Sequence, residues 1–261
     1  MCTLYSIFAN RRITANISID GRNLIGYSGH GVCEFQDVSS YIKRALPSTD
    51  EPRHYSMQSK LILAHVRVAS IGEDKLVNCH PFHRVSDSTE YVGMAQGTLP
   101  YFHKLDTGKY RPYGSTDTER VFLHVLAQIQ KQNFGDEWTA DNFWWLAGLL
   151  QKLNAGGGFN AVMSHGRNLF CYSDMTHSGL YYAEFIAPFD DITLQDDCCK
   201  IEIAGEHNPA VRFMAVSSNP LSTDKWIKIP EGTLAVIKDG EVIFTNSTSK
   251  GGVKWDGLRC C

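Results

Sequence analysis

The sequence predicts an α+β protein, with short strands gathered in two blocks and a pair of helices between them. Three features point there. Short apolar runs recur toward both ends of the chain, two longer stretches in the middle repeat at helical spacing, and clusters of turn residues mark the boundaries. The 261 residues, 43% hydrophobic and 20% charged, have ordinary globular composition and enough length to bury a sizeable core. No internal repeat, low-complexity tract or linker divides them, so one domain over residues 1–261 is expected.

Taken in order, residues 4–9 and 13–19 are expected to form two strands joined by the polar turn Asn10-Arg11-Arg12. Asp20-Gly21-Arg22-Asn23 is a second turn, and residues 24–27 form a short third strand. Residues 38–46 suit a short helix that Pro47 ends. The continuous apolar run 61–68 reads as a buried strand, and 91–95 as another.

Thr116-Asp117-Thr118-Glu119 has the form of a capping box. Behind it Val121, Phe122, Val125, Leu126 and Ile129 share one helical face. Thr139 is placed to cap a second helix carrying Trp144, Trp145, Leu149 and Leu150, which Gly156-Gly157-Gly158 ends. Residues 159–164 and 169–172 flank a hairpin turn at Gly166-Arg167-Asn168. Strands at 211–217, 233–237 and 242–245 complete the chain, the last two joined at Asp239-Gly240, a strong hairpin signal.

The bulk properties narrow the function. A formal net charge of −3 gives no reason to expect a nucleic-acid or anionic-membrane surface. No run of about 18 apolar residues is present to span a bilayer. At the N-terminus the apolar residues precede Arg11-Arg12, the reverse of a secretory signal, so a cytoplasmic protein is expected. Its eight cysteines are then expected as thiols. None lie in a C-x-x-C pair. The vicinal pairs Cys198-Cys199 and Cys260-Cys261 are poorly suited to one tetrahedral metal, and Arg259-Cys260-Cys261 lacks a prenylation pattern.

Five sites carry chemistry. Cys2 follows an initiator Met that is readily removed before a small residue. The freed α-amine, with an ordinary pKa of roughly 7.7–8.0, could then take the proton of its own thiol. A small buried hydrophobe in the first strand is the plainer use of the same cysteine. Arg67 ends an apolar strand in Ala64-His65-Val66-Arg67-Val68-Ala69-Ser70-Ile71-Gly72, where an unpaired charge would be costly. A substrate carboxylate or an internal acidic residue would satisfy it equally. Gln96-Gly97 offers a side-chain amide beside a glycine N–H, able to hold an oxyanion or to make a plain turn. Asp117 in the first helical turn could bind a substrate ammonium or merely complement the helix dipole. Asn78-Cys79-His80-Pro81-Phe82-His83 holds two histidines three apart, but Pro81 argues against a helix and so against a metal pair.

In this order the signals are specific. An N-terminal Cys, His-x-Arg-x-Ala-Ser-x-Gly, His-Pro, amide-Gly-Thr and Thr-Asp-Thr-Glu together resemble the glutaminase domain of the class II glutamine amidotransferases. The β-rich second half, with Ser217-Ser218-Asn219-Pro220, is similar to stand-alone members. The resemblance implies the N-terminal-nucleophile hydrolase fold, a four-layer αββα sandwich with two stacked, mainly antiparallel sheets. It implies Cys2 as nucleophile with its α-amine as base, Gln96 and Gly97 at the oxyanion hole, Arg67 and Ser70 on the α-carboxylate of a γ-glutamyl group, and Asp117 on its α-ammonium. It implies no metal or organic cofactor. Two departures stand out. The family's His-Asn-Gly is Ala95-Gln96-Gly97 here, one methylene longer, and Val68 and Ile71 replace the Trp and His of hexosamine-synthesising relatives.

Three functions follow as expectations. The chain hydrolyses a γ-glutamyl amide in a small molecule or peptide, or it supplies ammonia to a separate synthetase (with a synthetase or peptidase as partner protein), or it binds γ-glutamyl compounds without turnover. All catalysis depends on removal of Met1.

Overall fold

The computed structural model describes residues 2–47, 52–134, 137–176 and 179–247. The Cys260-Cys261 pair and Arg259 lie outside the described residues. The chain runs β1 (Thr3–Ile19), β2 (Tyr27–Gln36), β3 (Ser39–Ala45), β4 (Arg53–Val68), β5 (Phe82–Ser86), β6 (Thr89–Gly97), α1 (Asp117–Gln132), α2 (Ala140–Asn154), β7 (Phe159–Ser164), β8 (Leu169–Tyr172), β9 (Tyr181–Ile186), β10 (Ile192–Gln195), β11 (Cys199–Ile203), β12 (Arg212–Ser217), β13 (Ile227–Lys228), β14 (Leu234–Lys238) and β15 (Glu241–Thr245).

Two antiparallel sheets stack face to face, as expected. The larger, sheet A, runs β13-β9-β12-β1-β4-β2-β3, with β11 paired to the far half of β1 and β10 to β11. Sheet B runs β15-β14-β8-β7-β6-β5. Strand alternation sends Leu4 and Phe8 of β1, Leu61 and Leu63 of β4, and Val92 and Met94 of β6 into one dry layer between the sheets. The outer face of sheet B is covered by α1 and α2 through Phe122, Leu126, Phe143 and Leu146. The outer face of sheet A carries a third core, built from Tyr5, Ile7, Ile17, Ile62 and Phe213, and closed by Leu194 and Ile201 of β10 and β11. Strands rather than helices cover that face among the described residues.

That closure follows from β1. Along a straight strand Tyr5 and Ile19 would lie about 47 Å apart. Yet Cys199 pairs with Ile19, and its neighbour Cys198 brings Sγ within 3.6 Å of the Tyr5 hydroxyl. The strand therefore bends back on itself, and the register shift between Phe8 and Ile13 lies on the path. The expected turn at residues 10–12 is this irregularity inside one long strand, not a break between two strands.

Three other local expectations change. Residues 38–46 form the edge strand β3 rather than a helix. Asp37 at φ 58 makes a tight reversal after β2, and residues 39–45 alternate in exposure as an edge strand does. Residues 24–27 are a turn, with Tyr27 N donating to Leu24 O, and the strand proper begins at Tyr27. Thr116 caps α1 as expected, its hydroxyl accepting from Glu119 N at 3.1 Å. Glu119, however, turns away from the cap: its carboxylate accepts from Tyr113 N, Gly114 N and Arg84. The second cap, the break after α2, both later hairpins and the Asp239-Gly240 turn, with φ 48 and 79, fall where the sequence puts them.

Candidate active site

The predicted residues gather at one end of the sandwich because β1 begins there and β4 and β6 end there. Thr3 pairs with Val66, so Cys2 comes to rest against the backbone of Val68. Its Sγ accepts from Val68 N at 3.1 Å and donates to Val68 O at 3.0 Å. The thiol is only partly buried, not sealed in the core. Burial still pushes its pKa above the ordinary thiol value, against the Val68 hydrogen bond and the nearby Arg67 charge, which pull it down. At neutral pH it is a thiol that needs a base.

Arg67 shares the inward face of β4 with Leu61, Leu63 and His65 and is 2% exposed. The loop after β4 wraps its guanidinium. Nη2 donates to the carbonyls of Ile71 and Gly72 at 3.2 and 3.1 Å. Nη1 donates to Ser28 Oγ at 3.1 Å and Glu73 O at 3.4 Å, and lies 3.4 Å from Asp74 Oδ1. The internal acidic partner allowed by the sequence is thus Asp74. Its side chain is 62% exposed, so solvent screens the pair and it contributes little.

Asp117 is likewise 2% exposed. Its carboxylate accepts from Leu99 N at 2.8 Å and Thr118 N at 2.9 Å, and no cation reaches ion-pair distance among the described residues. Burial raises its pKa, while those two N–H groups and the Arg67 charge oppose the rise. Asp117 and Arg67 are therefore close enough to feel each other without touching.

The remaining residues connect these two. Ser70 does not reach Arg67; its hydroxyl accepts from Thr98 Oγ1 at 3.1 Å. It ties the Arg67 loop to the segment that follows Gly97 and leads to Leu99. Gln96 has the same strand parity as Val92 and Met94 and is 8% exposed, and its Oε1 has no hydrogen-bond partner among the described residues. Gly97 sits at φ +143, and a Cβ there would fall 2.1 Å from Gly158 O; only glycine fits.

Two supporting groups were not assigned a role from sequence. Asn154, at the end of α2, donates to Asp174 Oδ1 at 2.8 Å and accepts from Tyr172 Oη and Met175 N, both at 2.9 Å. Asp174 packs against Gly158 beside Gly97. The signal available was an asparagine two positions before a glycine run. His80 packs its ring 4.1 Å from His65, with Nε2 3.1 Å from Thr118 Oγ1. Burial holds both imidazoles neutral, His65 down to about 3. Among the described residues no three His, Cys, Asp or Glu side chains are grouped to hold a metal, and no helix is long and apolar enough to cross a membrane.

The profile of the class II glutamine amidotransferases matches residues 1–255. An uncharacterised protein of Methanocaldococcus jannaschii is 29% identical over 256 residues, covering 94% of this chain and 72% of its own length. YafJ of Escherichia coli, which carries a provisional glutamine amidotransferase name, is 30% identical over 231 residues, covering 85% of this chain and 86% of its own. A 2.0 Å crystal structure from Pseudomonas aeruginosa, described as a predicted glutamine amidotransferase, superposes with a TM-score of 0.80 at 22% identity, over 92% of this chain and 99% of that one. The glutamine phosphoribosylpyrophosphate amidotransferase of B. subtilis shares the fold at a TM-score of 0.55 and 11% identity, over 95% of this chain and half of that one.

Proposed function

Because the chain belongs to the class II glutamine amidotransferases, enzymes that cleave the glutamine amide with a cysteine nucleophile, we propose that it hydrolyses a γ-glutamyl amide carried by a small molecule or peptide, with residues 1–261 working as one glutaminase-type domain. The observation that carries this reading is a pair of buried, opposite charges lacking buried counter-ions. Among the described residues Arg67 has only an exposed carboxylate beside it, and Asp117 has no cation. A buried charge left without a partner costs several kcal/mol, on the order of 3–5 when a partner is removed. The head group of an α-amino acid brings one charge of each sign and would satisfy both.

In this reading loss of Met1 frees the α-amine of Cys2, which takes the thiol proton. The thiolate attacks the γ-carbonyl carbon, and the oxyanion is held by the Gln96 amide and the Gly97 N–H. The tetrahedral centre collapses with protonation and departure of the amine or ammonia, leaving a glutamyl thioester on Cys2. Water, deprotonated by the same α-amine, cleaves the thioester and returns the thiol with free glutamate. Arg67 would orient the α-carboxylate and Asp117 the α-ammonium. Ser70 would act through Thr98, shaping the loop rather than touching the substrate.

The test is glutamate release by the purified chain from L-glutamine and a panel of γ-glutamyl amides and dipeptides. Turnover without any partner, lost in Cys2→Ala, is the expected result. Turnover that appears only when a synthetase is added makes the chain an ammonia-supplying subunit. No turnover from any substrate by protein shown to lack Met1 refutes hydrolysis.

A further inference from the structure

The Asn78-Cys79-His80 segment has no part in the chemistry above, yet it lies behind both charged halves of the pocket. Asn78 is fully buried. Its Nδ2 donates to Glu73 O at 2.8 Å, in the loop that wraps Arg67 and through a carbonyl that also accepts from Arg67. Its Oδ1 accepts from Ser115 N at 2.9 Å, and Nδ2 also approaches Ser115 Oγ at 3.3 Å. Ser115 is two residues before Asp117. One amide thus joins the Arg67 loop to the start of α1.

The surroundings are shaped to that amide. A Cβ on Gly114 would fall 2.0 Å from Asn78 Oδ1, and one on Gly72 would meet Thr116 Cγ2 at 2.9 Å and Asn78 Nδ2 at 3.2 Å. The neighbours hold the segment still. Cys79 Sγ lies against the carbonyls of Ser28, Ala45 and Lys75, and His80 bonds Thr118.

We propose that Asn78 is a positioning residue that couples the carboxylate-holding and ammonium-holding halves of the pocket, so that a ligand must present both groups at the spacing of an α-amino acid. The proposal rests on the head-group reading above. An amide is required because the site needs a donor toward Glu73 O and an acceptor for Ser115 N from one planar group. Asn78→Asp keeps the acceptor, loses the donor and sets a carboxylate oxygen against a carbonyl.

The experiment follows alkylation of Cys2 by iodoacetamide and its protection by L-glutamate, which carries both head groups, and by glutarate, which lacks the ammonium. In the wild type L-glutamate is expected to protect at lower concentration than glutarate. In Asn78→Asp the half-protecting concentration of L-glutamate should rise about tenfold. The preference for L-glutamate over glutarate should shrink, with the labelling rate of the unliganded protein unchanged. Gly114→Ala attacks the same contact from the other side, should behave alike, and serves if Asn78→Asp does not fold. A folded variant with unaltered protection and unaltered preference overturns the coupling alone. A wild type that neither ligand protects overturns the head-group reading and this proposal together.

Discussion

The two sides of the candidate site are built differently. On the head-group side the charged groups are tied down: the two Nη atoms of Arg67 meet three carbonyls and a hydroxyl, and the Asp117 carboxylate meets two N–H groups. On the reacting side the Cys2 sulfur makes two hydrogen bonds with one backbone unit, and the Gln96 oxygen has no hydrogen-bond partner among the described residues. The difference teaches where rigidity is useful. Groups that only bind are preorganised and need not move when the ligand arrives. Groups whose bonding changes during reaction are held by fewer bonds, and an oxyanion formed there would take a donor, the Gln96 amide N–H rather than its oxygen.

Substitutions on the two sides should therefore fail in different ways. The largest effect is expected at Cys2: Cys2→Ala should cut kcat by about 10³-fold or more, with L-glutamate still bound in a calorimetric titration. Next, Asp117→Asn keeps the shape but removes the charge and should raise KM by about 30- to 100-fold with a smaller change in kcat. Steady-state kinetics on one γ-glutamyl amide separate the two parameters, and a pure kcat effect at Asp117 would break the contrast. Gln96→Leu should lower kcat by about 10²-fold and leave KM nearly unchanged; an unchanged kcat would remove Gln96 from the oxyanion site.

The same contrast has a pH signature. Asp117 must be ionised to hold an ammonium, and its pKa is raised. Affinity for L-glutamate should therefore fall as pH drops, beginning above the ordinary carboxylate range near 3.9. Measuring the dissociation constant from pH 7 to pH 4 checks this, and a flat profile contradicts it. The smallest effect concerns stability. His65 is neutral with a pKa of about 3, whereas the unfolded chain takes up that proton near pH 6.5. The unfolded state thus binds the extra proton, and stability is lost as pH falls from 6.5 toward 3. Between pH 7 and pH 4.5 this amounts to about 2.5 kcal/mol. Urea unfolding at those two pH values should show a shallower loss in His65→Phe than in the wild type.

Legibility in the sequence followed the same divide between local and distant causes. The cap at Thr116, the break after Asn154 and the Asp239-Gly240 hairpin were readable because each is decided within about four residues. Strand β2 was not: Gly29, His30 and Gly31 interrupt the apolar pattern, and they are tolerated because β4 on one side and residues 43–46 and 79–80 on the other press against them. The order of Cys2, Arg67, Gln96-Gly97 and Asp117 was readable as a motif. The partner of Ser70, the loop around Arg67 and the two-sided bonding of Asn78 were not, since together they join residues 4 to 39 positions apart and depend on where β4, β6 and α1 meet.

Intact-mass spectrometry after exposure to an electrophilic glutamine analogue such as a diazo-ketone of norleucine probes the proposed chemistry most directly. A chain lighter by one methionine that gains one adduct, mapped to the residue-2 sulfur and blocked by excess L-glutamate, is the predicted outcome. An unlabelled chain, or a fully active one that still carries Met1, would contradict it.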